Sequence, residues 1–309
     1  MRYVFLTLFA FSFLFSSCTN GKPKEGEGYL KVTGGEIWYK VIGTGDKTPI
    51  VMLHGGPGFT SYSLTPLFAL ASDRQIIVYD QLSCGRSTNS TDTSLMNIES
   101  QLKDLQALLS KLNITKFYLY GHSYGTMLAV DYYFKNENLP KAMILASPCM
   151  STKGWELDAD TLINSMDAVY STPLKNFKAG NYKDTDNYSN AIAAYYSNFY
   201  NRKKNQYIDS SIERSGKMLY LHMWGPEEFL ATGNLKNYNR INDLQKINVP
   251  TLLTAGEFDA ARPTTVKLYQ TLIPNAKFSM IPNAGHSTMT DHTQADINVI
   301  RDFIKSIEE

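Results

Sequence analysis

The sequence predicts an α/β fold: a mostly parallel central sheet, helices on both faces, and a mainly helical lid inserted between strands. Three observations carry this. Short, uniformly apolar runs recur along the 309-residue chain, each closed by turn residues, as in buried parallel strands. Segments with helical spacing lie between them. From residue 150 to residue 240 the strand-like runs stop, and Asn, Lys, Asp and Tyr take over.

In chain order, residues 36–42 have strand-like content. Residues 49–53, PIVML, form an apolar run that ends at His54-Gly55-Gly56-Pro57-Gly58. Residues 75–79, QIIVY, form another that ends at Asp80. Over residues 97–112 the period changes: Ile98, Leu102, Leu105 and Leu109 share a helix face, and Leu108 and Leu112 widen it. Asn97 is placed to cap that helix, and Glu99 suits its first turn. Residues 116–120, KFYLY, read as a strand, 126–134 as a helix and 142–147, AMILAS, as a strand. The sheet resumes at 249–255 and closes at 277–281, with a last helix over 295–307. This divides the chain into residues 1–28, a core part at 29–149, a helical cap at 150–240 and a second core part at 241–309. Such a cap lies over the carboxyl ends of the strands, where open α/β sheets place their ligands.

The first residues follow another logic. Arg2, an apolar run over 4–15, then Ser16-Ser17-Cys18 have the form of a secretory signal. The run is too short to span a bilayer, which needs about 20 residues. Two small residues before a cysteine resemble a bacterial lipobox, so Cys18 is the expected lipidation site of an exported protein; the alternative is a plain secretory signal with an incidental cysteine. Residues 19–28 read as a tether. The other cysteines, Cys84 and Cys149, are expected to be unpaired. With 30 basic and 29 acidic residues the net charge is +1, so no basic excess argues for nucleic acid.

Gly121-His122-Ser123-Tyr124-Gly125 falls where a strand turns into a helix, the context a strained serine nucleophile requires. A serine hydroxyl needs a base, and the base an orienting acid. In this chain order the acid follows the serine and the histidine comes last. Asp259 and His286 occupy the turns after the two late strands. Glu257 is the alternative acid, less favoured because it sits two residues earlier. Of the other histidines, His54 lies in the glycine turn, His122 precedes the serine, His222 is in the cap and His292 lies off the strand end. An oxyanion needs backbone donors fixed in advance. The expected donors are Tyr124 N–H and Gly56 N–H. The histidines and acids lack a metal-ligand spacing, and no cofactor is expected.

His54 to Gly58, Asp80-Gln81 with Gly85 and Ser87, and Gly121 to Gly125 resemble the proline iminopeptidase family of α/β-hydrolases. So do Met223-Trp224-Gly225-Pro226-Glu227-Glu228-Phe229 and Gly256 to Asp259, and the likeness is nearest to the tricorn-interacting aminopeptidase branch. It covers most of residues 29–309. The resemblance implies the α/β-hydrolase fold and release of an N-terminal residue, often proline, from short peptides. Amino-acid amidases and esterases share the scaffold, which makes hydrolysis of a small amide or ester the alternative; a non-catalytic ligand-binding protein is less favoured, since a binder has no need of all three triad groups. The resemblance also implies that Glu228 binds the substrate's ammonium as a charge-assisted partner, with Trp224 a candidate for the pocket lining. Two departures stand out. The second glutamate expected after the catalytic aspartate is Ala260 here, and Gln81-Leu82-Ser83-Cys84-Gly85 replaces Gln-Arg-Gly-x-Gly. The membrane would be met only through a lipid on Cys18.

Overall fold

The structure, a computed structural model, describes residues 22–181 and 185–309. Cys18 and the apolar run before it lie outside the described residues. The strands are β1 (Gly26–Val32), β2 (Gly35–Ile42), β3 (Lys47–Leu53), β4 (Arg74–Tyr79), β5 (Tyr118–His122), β6 (Ala142–Ala146), β7 (Thr251–Gly256) and β8 (Ala276–Ile281). They form one 8-stranded sheet in the order β1-β2-β4-β3-β5-β6-β7-β8. β1 pairs antiparallel with β2, and β2 with β4; from β4 to β8 all neighbours are parallel.

β1 corrects the expectation that residues 19–28 are only a tether. Gly26 already pairs with Val41, and Gly28 with Tyr39. This is an edge strand: Glu27, Tyr29 and Lys31 face water, and only the half-buried Gly28, Leu30 and Val32 mark its inner face.

The helices are α1 (Ile98–Lys111), α2 (Tyr124–Lys135), α3 (Thr152–Ser165), α4 (Ala168–Lys178), α5 (Thr185–Phe199), α6 (Gln206–Glu213), α7 (Lys217–Met223), α8 (Pro263–Leu272), α9 (Thr288–Asp291) and α10 (Thr293–Glu308). Alternation along β3 sets the two faces of the sheet. Val51 and Leu53 pack on one side with Leu102, Leu105 and Leu109 of α1 and Met127 and Val130 of α2. Ile50 and Met52 pack on the other with Leu64 and Leu67 of a 3-10 turn and Ile297, Ile300 and Phe303 of α10. Each such buried side chain contributes about 1.5–3 kcal/mol of transfer free energy. Asn97 Oδ1 accepts from Ser100 N at 2.9 Å and so starts α1. Ser151 Oγ accepts from Gly154 N at 3.2 Å and starts α3.

Helices α3 to α7 form an insertion between β6 and β7. Its exit is tied to α2: Arg240 Nε donates to Asp131 Oδ1 at 2.5 Å. Among the described residues no helix is long and apolar enough to cross a membrane.

Candidate active site

Ser123 stands between β5 and α2 at φ 54° and ψ −121°. That is a left-handed conformation that a serine adopts only when its surroundings impose it. The imposition is steric. A Cβ on Gly121 would lie 2.3 Å from Gly125 O, and one on Gly125 would lie 2.3 Å from Leu53 O. The two glycines let the turn close against itself and against β3. Tyr124 is the first residue of α2, so its N–H has no carbonyl partner within the helix. The other expected donor loop crosses in front: a Cβ on Gly55 would lie 3.1 Å from Ser123 Cβ.

The glycine loop is held from behind. His54 Nδ1 bonds Gly55 O at 2.9 Å, and His54 Nε2 accepts from Gln81 N at 3.1 Å. Burial pushes the pKa of this imidazole down, which keeps it neutral and suits that pattern. Gln81 Oε1 accepts from Gly58 N at 3.0 Å, and Gln81 Nε2 donates to His54 O at 3.3 Å. Gly56, at φ +118°, is therefore clamped on both sides.

The late strands bring the other two residues in. His286 Nδ1 donates to Asp259 Oδ1 at 2.8 Å. Asp259 also accepts from Ala261 N at 2.8 Å, Gly256 N at 3.0 Å and Ser147 Oγ at 2.6 Å. Glu257 instead points outward and accepts from Asn283 N. The acid and base turns touch through backbone, since a Cβ on Gly256 would lie 2.2 Å from Gly285 O. His122 Nε2 donates to His286 O at 2.9 Å. Burial, then the neighbouring His286, push the His122 pKa down to about 3, so His122 stays neutral. His292 bonds Pro282 O.

One cavity joins these groups, lined by Gly55, Gly56, Ser123, His286, Glu228 and Tyr200 among others. Glu228 is 8% exposed. Its pKa is raised to about 7, chiefly by burial, with His286 and a Tyr220 hydrogen bond opposing. Trp224 is not among the lining residues. It packs edge-on against Trp155 at 6.2 Å and donates Nε1–H to Glu227 O, one layer behind the cavity wall. It was expected at the wall because it belongs to the same motif as Glu228, but the turn sends the two side chains to different sides. Ala260 is buried and is not among the lining residues; its N–H bonds Phe199 O at 3.2 Å. Cys84 and Cys149 are unpaired thiols.

Sequence reasoning did not find Ser147 or Tyr200. Ser147 ends the AMILAS run and holds a left-handed φ of 50°, which aims its hydroxyl at Asp259. Tyr200 was one tyrosine among many in the cap.

Residues 48–293 match a family model described as the alpha/beta hydrolase fold, which defines the class. Within that class the chain belongs to the proline iminopeptidase family. It is 35% identical to a proline iminopeptidase of Heyndrickxia coagulans, over 91% of this chain and 99% of that one. It is 30% identical to one of Saccharolobus solfataricus, over 99% of this chain and 98% of that one. The crystal structure of VinJ matches with a TM-score of 0.85 at 27% identity, covering 92% of this chain and 99% of that one. The crystal structure of proline iminopeptidase from Mycobacterium smegmatis also matches with a TM-score of 0.85. At 24% identity, over 91% of this chain and 98% of that one, this is a likeness of fold alone.

Proposed function

We propose that the protein is a serine aminopeptidase that releases an N-terminal residue, proline among them, from short peptides through an acyl-enzyme. The observation that carries this is a buried carboxylate, Glu228, in the same cavity as Ser123 and His286. A hydrolase of neutral esters has no use for a buried acid there, whereas an aminopeptidase must recognise an ammonium.

In this reading Ser123 Oγ attacks the first carbonyl of the peptide. Its proton passes to His286 Nε2. Asp259 holds the Nδ1–H tautomer and stabilises the imidazolium. The oxyanion is met by the N–H groups of Gly56 and Tyr124. His286 then gives its proton to the leaving amine. The released residue stays esterified to Ser123 until a water, deprotonated by His286, cleaves it. Glu228 sets the substrate's register by holding the free amino end.

A substrate panel tests this. Proline, alanine and leucine arylamides, their N-blocked forms and short-chain esters are compared on wild type and Ser123→Ala. Preference for the free-amine forms is expected. Equal cleavage of blocked and free forms would sink the peptidase reading, and activity surviving Ser123→Ala would sink the mechanism.

The same reading includes export as a bacterial lipoprotein, supported by the run before Cys18. Labelling of the expressed protein with a palmitate analogue, lost in Cys18→Ser, is the expected result.

A further inference from the structure

We infer that the end of the fold opposite the active site is a docking surface for an anionic membrane. This rests on the lipoprotein reading and adds an orientation to it.

The parallel strands give the molecule two ends. Ser123 follows the last residue of β5, so the cavity lies at the carboxyl ends of the strands. The opposite end is made of strand starts and of the helix ends that lead into them. Lys111 is the last residue of α1, and Lys116 stands just before β5. Lys135 is the last residue of α2, and Lys141 immediately precedes β6. All four are exposed. Lys47, Lys246 and Lys305 at this end are paired with Asp73, Asp243 and Glu309, whereas these four form no ion pair among the described residues.

The chain enters at the same end. Pro23 O accepts from Gln75 Nε2, near the start of β4, at 2.7 Å. Lys22 lines a surface groove with Lys47 and Lys116. A second groove shares Asn113, Ile114 and Thr115 with the first and runs on to Lys135. Asp46 and Glu137 are the acids on these walls, fewer than the lysines. Between Lys135 and Lys141 the loop holds Leu139 at 42% exposure, an apolar tip suited to a headgroup layer.

The four residues from Cys18 to Lys22 reach at most about 14 Å. A lipid on Cys18 therefore keeps this face close to the bilayer, where charge acts over a Debye length of about 8 Å. Lysines left unpaired by the protein then meet lipid phosphates, as basic segments beside a membrane do. Lipid and basic patch act as two signals on one side of the molecule. The cavity is thereby turned away from the bilayer, towards dissolved peptides.

The test uses the full lipidated protein, reconstituted into phosphatidylcholine vesicles with or without about 30% phosphatidylglycerol. Lysines are acetylated briefly and read by mass spectrometry. In the anionic vesicles Lys111, Lys116, Lys135 and Lys141 should react about 5-fold more slowly than in the neutral ones, and about 1 M NaCl should erase the difference. Lys153 on α3 and Lys217 on α7, at the other end, should react alike in both. In Lys116→Gln/Lys135→Gln/Lys141→Gln the protection of Lys111 should also be lost. Equal rates in both vesicles, equal protection of Lys153 and Lys217, or protection that survives the triple substitution overturns the inference while the lipoprotein reading stands. Protein that takes up no palmitate analogue and stays off the vesicles removes that reading and this inference with it.

Discussion

Ser123 and Glu228 face one cavity, but the segments that carry them are held by unlike means. The strand-end turns are fixed backbone against backbone. At Gly121, Gly125 and Gly256 an added Cβ would meet a main-chain oxygen at 2.2–2.3 Å. The lid adds rings to such contacts: a Cβ on its Gly216 would also meet a main-chain oxygen, Ser83 O, at 2.1 Å, but Phe177 stacks on Tyr188 at 4.6 Å, Phe59 on Tyr220 at 5.8 Å, and Tyr195 meets Phe229 edge-on at 5.7 Å. Main-chain contacts have no tolerance, whereas aromatic packing can be rebuilt with other rings. The frame of the reaction thus rests on contacts that cannot vary, and the wall that carries Glu228 partly on contacts that can.

The largest effect that would test this division is Ser123→Ala. It should lower kcat/KM for a proline arylamide by on the order of 10^5-fold with the fold intact by circular dichroism. Next, Gly125→Ala should cost at least about 3 kcal/mol in denaturant unfolding, since its methyl would enter Leu53 O. Gly180 in the lid is the counterpart: a Cβ there has nothing within 4 Å, and only its φ of +80° resists. Gly180→Ala should cost only about 1 kcal/mol. If the two glycine variants cost the same, the contrast between the regions fails.

Glu228→Gln lies between these. It should reduce kcat/KM for free-amine arylamides about 30-fold more than for esters. It also has a pH signature. A carboxyl raised from 4.5 to about 7 in the folded state binds its proton more tightly there than in the unfolded chain. Its contribution is therefore full below pH 4.5 and is lost as pH rises through about 7, by about 3 kcal/mol. Urea unfolding from pH 4 to pH 8 should show a wild-type decline that is shallower in Glu228→Gln. Binding of the ammonium should strengthen over the same interval, because only the ionised carboxylate attracts it. A KM flat across pH 6–8 for wild type would remove Glu228 from that role. The smallest effect is at the α3 cap, where Ser151→Ala should cost about 1 kcal/mol.

What the sequence made legible divides along the same line. Buried strands must be apolar throughout, and the strands β3 to β7 could be read largely from that, whereas β8, AKFSMI, is a half-exposed edge strand placed by its position before the last histidine turn. The glycines around Ser123 are also local: the turn needs them wherever the chain goes next. Asp259 and His286 were readable because chain order and strand ends place them. Ser147 was not, because its φ of 50° depends on what surrounds the end of β6. β1 was hidden because an edge strand has only one dry face. Tyr200 and Trp224 show the limit most clearly. Nothing local distinguishes a ring that lines a cavity from one packed behind it, and the difference arises only when α3, α5 and the 224–229 turn meet.

Phe199 ends α5, and its carbonyl accepts from both Ala260 N and His286 N, at 3.2 and 2.9 Å. One oxygen therefore links the lid to the turn of the acid and to the turn of the base. Asp291 reinforces this link, taking Gly285 N at 2.8 Å and Lys203 N at 3.0 Å. The lid cannot lift at this corner without dragging the histidine out of line. A door hinged here would switch the site off whenever it opened. Traffic must use another doorway, and α6 supplies it: Ile212 lines the cavity while 49% exposed to water.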